Sequence, residues 1–482
     1  TSTEQDVAGG GYNHWATAGF FGRLNYNYKE KYLLEVNGRY DGTSRFMKDQ
    51  RWNFFPSFSL GWNVARENFW KPLESVVNQF KLRGSWGELG NQNTSNLYPF
   101  YEILPVKSNS GNWLVNGGKT NTADIPSLVS TLLTWERVRS FNVGFDFGAF
   151  SNRLTGSFDY FVRKTVDMVG PAPQLPLVLG IAPAIVNNAD MKSYGFEIEL
   201  SWRDRIGEVD YGVKFNLADA QQKVVKYPNT TNAFSDWYAG KMSGEIWGYT
   251  SLGIAKTDEE MKEHLASLPN GGQNQLGNKW GAGDIMYADI NGDGKVDGGK
   301  GTLADPGDQR IIGNSTPRYN FGLVLDASYK GFDVSIFFQG VGKRDYAPIV
   351  GTNGAVFWGA VNNIWQSMAM EEHFDYFRPE GHPMGANLNG YYPRPDFTSN
   401  KNHQVQTRYL QDASYIRLKN LQIGYTLPKQ WINKLHINRC RVYVSGDNLW
   451  TGTSLASMFD PETLAAGDWG SGKTYPLSKV IS

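Results

Sequence analysis

In "YLLEVNGRYD", residues 32–41, the side chains alternate between two chemical kinds. One set consists of Tyr32, Leu34, Val36, Gly38 and Tyr40, and the other consists of Leu33, Glu35, Asn37, Arg39 and Asp41. Successive side chains of a β-strand point to opposite faces of the sheet. The stretch is therefore predicted to be a strand with one apolar and one polar face.

The same alternation recurs along the chain, which predicts a large antiparallel sheet with one wet face. Other segments that show it are "FPSFSLGWNVA" (55–65), "FEIELSWR" (196–203), "YGVKFNL" (211–217), "FDVSIFFQ" (332–339) and "LQIGYTL" (421–427). The polar sets include Glu35, Arg39, Asp146, Glu197, Glu199 and Arg203. We expect these side chains to line a hydrated interior.

The links between these segments alternate between short and long. Short or modest links are expected at 29–31, 66–78, 149–153, 204–209, 330–331 and 428–438, and long ones at 42–54, 89–133, 165–192, 221–316, 344–410 and 450–475. In an antiparallel sheet every second link lies at the same end. Outer-membrane barrels have short turns at one end and large extracellular loops at the other. A soluble sandwich also alternates its faces, but it has less reason to segregate its loops so strictly.

The amino-acid composition argues against several classes of protein and of site. The 482 residues carry 47 basic and 47 acidic side chains, which disfavours a nucleic-acid binder. One cysteine, Cys440, excludes an internal disulfide framework and a cysteine-based zinc site. The 25 Tyr, 27 Phe, 16 Trp and 54 Gly fit β-sheet with long loops. No apolar run of about 18 residues is present, so no membrane-spanning helix is predicted.

We therefore predict an antiparallel transmembrane β-barrel segment of about 13 strands with long extracellular loops. The first strand begins close to residue 1, and "YPLSKVIS" (475–482) stops partway into the last. Because an open sheet edge in a bilayer leaves backbone groups unpaired, the segment is expected to belong to a larger barrel.

At this point nine stretches, in order, resemble SusC/RagA-type TonB-dependent outer-membrane transporters. They are "RLNYNYKEKYLLEVNGRYDGTSRF" (23–46), "RWNFFPSFSLGWNVARENFW" (51–70), "FKLRGSWGELGNQN" (80–93), "NVGFDFGAFSNRLTGSFDYFVRKTVDM" (142–168), "GFEIELSWRD" (195–204), "DINGDGKVD" (289–297) with "DQRIIGNSTPRYNFG" (308–322), "SYKGFDVSIFFQGVGKRD" (328–345), "LQDASYIRLKNLQIGYTLP" (410–428) and "VYVSGDNLW" (442–450).

The resemblance implies that residues 1–482 are the C-terminal part of a barrel of about 22 strands, without the N-terminal plug, the TonB box and the early strands. It implies TonB-dependent import of a nutrient, an oligosaccharide or, as the alternative, a peptide, across the outer membrane of a Gram-negative bacterium. It also implies a SusD-like surface lipoprotein as partner, a dimer of transporter–lipoprotein pairs, and contact with outer-membrane lipid. Two alternative hypotheses for the function are a soluble glycan-binding or adhesin-type β-protein and a non-specific porin.

No enzyme is predicted. The sequence has no nucleophile elbow, HExxH, Walker loop or GxGxxG, and the six histidines lack ligand spacing. Aromatic side chains in the long links are the candidates for substrate, because aromatic faces stack on sugar rings. They are Trp113, Trp237, Tyr238, Trp247, Trp280, Trp358 and Trp469. The alternative is that they pack the loops on each other or on the lipoprotein.

The segment "DINGDGKVD" (289–297), within the long 221–316 insertion, matches most of a calcium-binding loop. The candidate ligands are Asp289, Asn291, Asp293, the Lys295 carbonyl and Asp297. Position 12 is Lys300, so a sensor-type EF-hand is excluded. We expect Asp308, with Asp305 as second choice, to fold back and complete a structural site for Ca²⁺ or Mg²⁺. The alternative is a metal-free Asn/Asp/Gly turn.

Overall fold

Thirteen strands form a single antiparallel sheet in the computed structural model, which describes residues 12–94, 96–172, 178, 180–181, 183–348, 355–362, 370–396, 401–432, 437–464 and 475–482. The strands are β1 Thr17–Tyr28, β2 Tyr32–Thr43, β3 Trp52–Asn63, β4 Val77–Asn91, β5 Glu136–Ala149, β6 Leu154–Val169, β7 Asn187–Ile206, β8 Val209–Lys226, β9 Arg318–Tyr329, β10 Phe332–Lys343, β11 Tyr415–Thr426, β12 Arg441–Thr453 and β13 Val480–Ile481. Each strand pairs with its neighbours in the chain, so the sheet is an up-and-down meander. The predicted strand number and fold class are confirmed.

Smaller elements lie in the links. Short paired strands are Val106–Lys107 with Thr122–Ala123, Leu114–Val115 with Gly118–Lys119, Glu245–Gly248 with Arg310–Asn314, Ser251–Ile254 with Ile285–Tyr287, and Asp345–Tyr346 with Gln411–Asp412. The α-helices are α1 Asp258–Ala266, α2 Ala355–Asn362 and α3 Lys429–Ile432, and the 3-10 helices are Lys48–Gln50, Val64–Arg66, Asn68–Leu73 and Glu371–Phe374. Within the described residues, every helix is too short or too polar to cross a membrane.

The links separate by length as predicted with one exception, because link 44–51, at the long-link end, is shorter than links 64–76 and 427–440 at the other end. One end of the sheet carries links 29–31, 64–76, 150–153, 207–208, 330–331 and 427–440, and the other carries 44–51, 92–135, 170–186, 227–317, 344–414 and 454–479. The longest link begins at 227 rather than 221, because polar residues continue strand β8 as far as Lys226. At 330–331, Lys330 and Gly331 both have positive φ, which suits the tight hairpin between β9 and β10.

The apolar face of the sheet is exposed and has aromatic rings at both ends. Tyr28, Tyr32 and Trp62 stack in a row near the short links. Phe20, Tyr40 and Trp52 form a second row near the long links. Eight residues separate Tyr32 from Tyr40, which is about 26 Å along the strand. That is close to the roughly 25 Å apolar band of an outer-membrane barrel.

Between these rings lie side chains that a soluble protein would bury. Phe58 is 46% exposed and Leu60 is 63% exposed. Their exposure excludes the closed soluble core that a β-sandwich requires. The face fits contact with lipid, and we call it the outward face.

The opposite, inward face carries cross-strand ion pairs. Arg83 on β4 bonds Asp146 on β5 and Asp159 on β6, each at 2.8 Å. Arg441 on β12 pairs with Asp333 on β10. Strand register places Glu35, Arg39, Glu197, Glu199 and Arg203 on this face as well. Cross-strand ion pairs of this kind stabilise a hydrated interior.

Candidate binding site in the long-loop layer

The long links 227–317, 344–414 and 454–464 pack together into what we call the loop layer. Its centre is a set of fifteen buried residues, the loop core. They are Tyr249, Leu268, Ile285, Tyr287, Val296, Tyr346, Val356, Phe357, Trp358, Tyr392, Tyr409, Ala413, Leu455, Phe459 and Leu464. The layer therefore has an apolar core of its own, separate from the sheet.

A buried charge network joins two links of this layer. Asp284, fully buried in the first link, accepts hydrogen bonds from Lys401 Nζ at 2.8 Å and Arg394 Nη2 at 3.0 Å in the second. Asn402 Nδ2 and the Gly281 N–H donate to the same carboxylate. Because each carboxylate oxygen has partners, the desolvated charge is compensated.

No pattern in the sequence predicts this network, since Asp284 and Lys401 lie 117 residues apart. A second pairing that the sequence did not reveal lies where the layer meets the inward face. Arg417 on β11 donates to Asp460 at 2.8 Å and to Glu462 at 2.7 Å. The last long link is thereby tied to the sheet.

The "DINGDGKVD" loop is closed by its own acidic side chains. Asp289 accepts the Gly292 N–H at 2.6 Å and the Gly294 N–H at 2.8 Å. Gly294 has a φ of 80°, a left-handed conformation that favours glycine. Asn291 accepts the Asp293 N–H, so the turn is built from side chain to main chain bonds.

Asp308 does fold back onto this loop. Its fully buried carboxylate accepts the N–H groups of Ile290 at 2.7 Å, Asn291 at 3.3 Å and Asp297 at 2.8 Å. Burial raises the pKa of Asp308, and these hydrogen bonds oppose the rise. Asp305 bonds the segment just after the loop, where its main-chain carbonyl accepts the N–H of Lys300.

The arrangement is not a preformed metal cage. Among the described residues, no three His, Cys, Asp or Glu side chains converge on a point that could hold a cation. Asp297 is paired with the Lys295 ammonium group, which lowers the pKa of that carboxyl. The carboxylates of Asp289 and Asp308 point at backbone N–H groups. As placed, these residues hold the loop rather than a metal, and the metal assignment stays a prediction.

The predicted substrate aromatics fall into different environments. Trp358 is fully buried in the loop core, where its Nε1 donates to the Pro348 carbonyl, and this placement leaves no ring face for a ligand. Trp280 packs against the same core and lies under Lys401 Nζ, 5.2 Å from its ring centroid. Both side chains therefore pack the loops. Trp469 lies outside the described residues.

Three of the other predicted aromatics lie close together above β8. Trp247 stacks on Phe234 with ring centroids 4.6 Å apart, and Trp237 meets Tyr227 edge-on at 6.0 Å. The Tyr238 hydroxyl donates to Glu245 at 2.5 Å. Burial and the Glu245 carboxylate raise the pKa of Tyr238, so its hydroxyl stays protonated at neutral pH. We call Trp237, Tyr238 and Trp247 the aromatic cluster.

Trp113 stands apart in the 92–135 link and is 61% exposed. Its indole ring offers an open stacking face, as a sugar-contacting residue would. The structure thus leaves Trp113 and the aromatic cluster as the candidates that can meet a ligand. No described contact brings Trp113 and the cluster together.

Residues 5–449 match the sequence model of the family described as "TonB dependent receptor-like, beta-barrel". TonB-dependent receptor P3 of Formosa agariphila is 30% identical over 460 residues, covering 92% of this chain and 41% of that protein. TonB-dependent receptor SusC of Bacteroides thetaiotaomicron is 25% identical over 427 residues, covering 86% of this chain and 38% of that protein.

Among solved structures, the RagAB peptide transporter superposes with a TM-score of 0.74 at 23% identity, covering 96% of this chain and 47% of that chain. At 23% identity, this superposition shows that the two proteins share a fold. The chain spans less than half the length of each of these relatives.

Proposed function

The chain belongs to the TonB-dependent receptor-like β-barrel family of the outer membrane, and from this premise we propose that it forms part of a transporter that imports a nutrient. The family is one of transporters and receptors and is not an enzyme class. Import would be driven through TonB, acting on the whole protein. Residues 1–482 would supply the barrel wall and the loop layer through which the ligand enters.

One observation carries this proposal. An exposed apolar face and an ion-paired polar face share one sheet, and a folded loop layer lies at one end only. A non-specific porin needs a polar channel but not a loop layer with its own buried core. A gated, ligand-selective entrance explains that core better.

For the substrate we propose an oligosaccharide. Trp113 and the aromatic cluster provide ring faces for sugars, and the nearby Glu245 and Asp236 carboxylates could accept bonds from hydroxyl groups. Peptide import is the rival, because RagAB is described as a peptide transporter. A SusD-like surface lipoprotein is the proposed lid over the loop layer, in a dimer of transporter–lipoprotein pairs.

The test is growth and uptake in a strain that lacks the gene. We expect loss of growth on one oligosaccharide or its parent polymer, with growth on monosaccharides unchanged. Loss of growth on peptides alone would show that the imported nutrient is a peptide. Unchanged uptake of every glycan and peptide on the panel would contradict nutrient import.

Complementation with single variants then locates the ligand. We expect Trp113→Ala and Trp237→Ala to weaken uptake about fivefold, since a lost stacking face is worth about 1 kcal/mol. Trp431→Ala is the matched control, because Trp431 is 62% exposed but lies in the 427–440 link at the opposite end. Equal uptake by the three variants would exclude these rings from the binding site.

The calcium site also stays a proposal. To bind Ca²⁺, the carboxylates of Asp289, Asp293 and Asp297 would have to turn from backbone N–H groups and Lys295 toward a common centre. The bound ion would fix the shape of the loop and would have no signalling role. Calorimetric titration with Ca²⁺ or Mg²⁺ should show one site in wild type that Asp289→Ala and Asp293→Ala remove. No binding by wild type would leave the metal-free turn.

A further inference from the structure

A row of four cationic side chains crosses neighbouring strands on the outward face. Arg139 on β5 is directly opposite Lys164 on β6, Lys164 is opposite Lys192 on β7, and Lys192 is opposite Lys223 on β8. Strand pairing is in unbroken register here, so these four residues share the face of the apolar residues below them. We call them the basic row.

The basic row borders the apolar band on its long-link side. At two positions along each strand from the basic row, toward the short links, the same four strands carry Phe141, Val162, Tyr194 and Gln221. Phe141 is 47% exposed, as expected of an apolar side chain that faces lipid. Since the long links are extracellular in this family, the row lies where headgroups of the outer leaflet begin.

The charges of the row are only partly neutralised. Arg139 Nε lies 2.6 Å from Glu88, and Lys164 Nζ lies 3.3 Å from Asp190. Lys192 Nζ lies 5.2 Å from the centroid of the Tyr194 ring, and neither Lys192 nor Lys223 has a carboxylate within ion-pair distance in the described part of the chain. Like charges directly opposite each other on a sheet are destabilising. An anion outside the protein would relieve this repulsion.

We propose that the basic row binds the phosphate groups of outer-leaflet lipid headgroups. Neighbouring strands are about 4.8 Å apart, so four cations span roughly 14 Å. A phosphate oxygen pair can bridge two adjacent cations through charge-assisted hydrogen bonds. The acyl chains of the same lipid would lie on Phe141, Val162 and the apolar residues below them.

Continuity with the apolar band favours lipid over a protein partner. A protein that covers the loop layer would meet the long links, whereas the basic row is on the strands themselves. The proposal depends on the outer-membrane location and is independent of which nutrient is imported. Anionic lipids gain about 1 kcal/mol for each Lys or Arg near the membrane surface.

The test uses the protein purified in detergent from its own outer membrane, with native mass spectrometry counting the lipids that remain bound. The variant is Lys192→Gln with Lys223→Gln, which should reduce retention of phosphorylated lipid roughly 30-fold. The matched control is Lys81→Gln with Lys214→Gln, two lysines on the inward face of β4 and β8. Lys192→Arg with Lys223→Arg keeps the charge and should keep the lipid.

A second arm separates the source of the phosphate. The wild-type protein is titrated with a phosphorylated outer-leaflet lipid, the same lipid after phosphatase treatment, and inorganic phosphate. We expect only the first to bind tightly, and its binding should weaken with added salt. Equal binding of the dephosphorylated lipid, or full competition by inorganic phosphate, would overturn the proposal.

Two further results would also overturn it. One is unchanged lipid retention in the glutamine variant. The other is loss of a partner protein from that variant while lipid stays bound. A folding defect is distinguished by heat stability without lipid, because removing opposed charges should leave the melting temperature of the glutamine variant unchanged or higher.

Discussion

At the scale of single residues, Asp308 shows how one buried carboxylate organises a loop rich in turn residues. Its two oxygens accept three backbone N–H groups of the segment 289–297. An amide in the same place would put an NH₂ group against the Asp297 N–H, because only one of its two terminal atoms can accept.

Asp308→Asn should therefore loosen this loop. We expect hydrogen exchange at the Ile290 and Asp297 amides to accelerate by one to two orders of magnitude, since an unsatisfied buried group costs about 1–3 kcal/mol. Asp305→Asn is the control, because Asp305 bonds Lys300, just after the loop, through its main-chain carbonyl. Equal protection in both variants would show that the carboxylate does not hold the loop.

His264 gives a prediction about pH. Its Nε2 lies 3.3 Å from Oε1 of the fully buried Gln273, and burial lowers the pKa of the imidazole below its ordinary value. The folded state then binds a proton less readily than the unfolded state. Stability from this group is complete above about pH 6.5 and declines as the pH falls from there toward the lower folded pKa.

Exchange of the α1 amides should accordingly quicken as the pH is lowered from about 7 to 5, after correction for intrinsic exchange. His264→Gln should abolish that dependence, whereas His14→Gln, at an exposed position, should leave it intact. A pH dependence that survives in the His264 variant would have to come from another group.

At the scale of the strand, alternation decides which face meets lipid. Phe58 is outward near the middle of β3, and the next residue, Ser59, is inward. Phe58→Arg should impair assembly in the membrane, since a cation at the bilayer midplane costs about 2–4 kcal/mol. Ser59→Arg should assemble normally. Heat-dependent migration on gels measures the folded fraction of each variant. Equal folded fractions for Phe58→Arg and Ser59→Arg would contradict the assignment of faces.

Strands of this kind could be predicted from the sequence because the period of two persists over seven to eleven residues in each segment. Arg39 and Asp41 are on the face that "YLLEVNGRYD" predicts, and the lengths of the links placed the long loops at one end. The end of β8 was less predictable, because residues 221–226 are mostly polar or charged. Strand hydrogen bonds continue there although the apolar signal has stopped.

At the scale of the whole molecule, the sheet and the loop layer are stabilised in different ways. The sheet depends on consecutive strand pairing, which the sequence pattern reveals. The loop core depends on side chains brought together from distant links, for which the sequence carries no periodic signal. Trp358 illustrates the difference. Its place in a long link predicts a ligand contact, but in the structure it is buried in the loop core.

Substitution of Asp284 tests whether the loop layer can unfold independently of the sheet. Asp284→Ala would leave Lys401 buried without its closest carboxylate, and breaking a buried ion pair costs about 3–5 kcal/mol. We expect faster proteolysis of the 227–317 and 344–414 links, with the heat resistance of the sheet unchanged. Glu259→Ala, on the exposed side of α1, is the matched control and should show neither effect.

The reason for this expectation is where the partners of Asp284 lie. Arg394, Lys401, Asn402 and Gly281 all belong to the loop layer, and none of them is on a strand of the thirteen-stranded sheet. Loss of the carboxylate therefore removes a bond between two links while the strand hydrogen bonds remain. If the sheet and the loop layer instead unfold together at a lower temperature in Asp284→Ala, the layer is an integral part of the barrel, and any opening of the entrance would have to involve the strands.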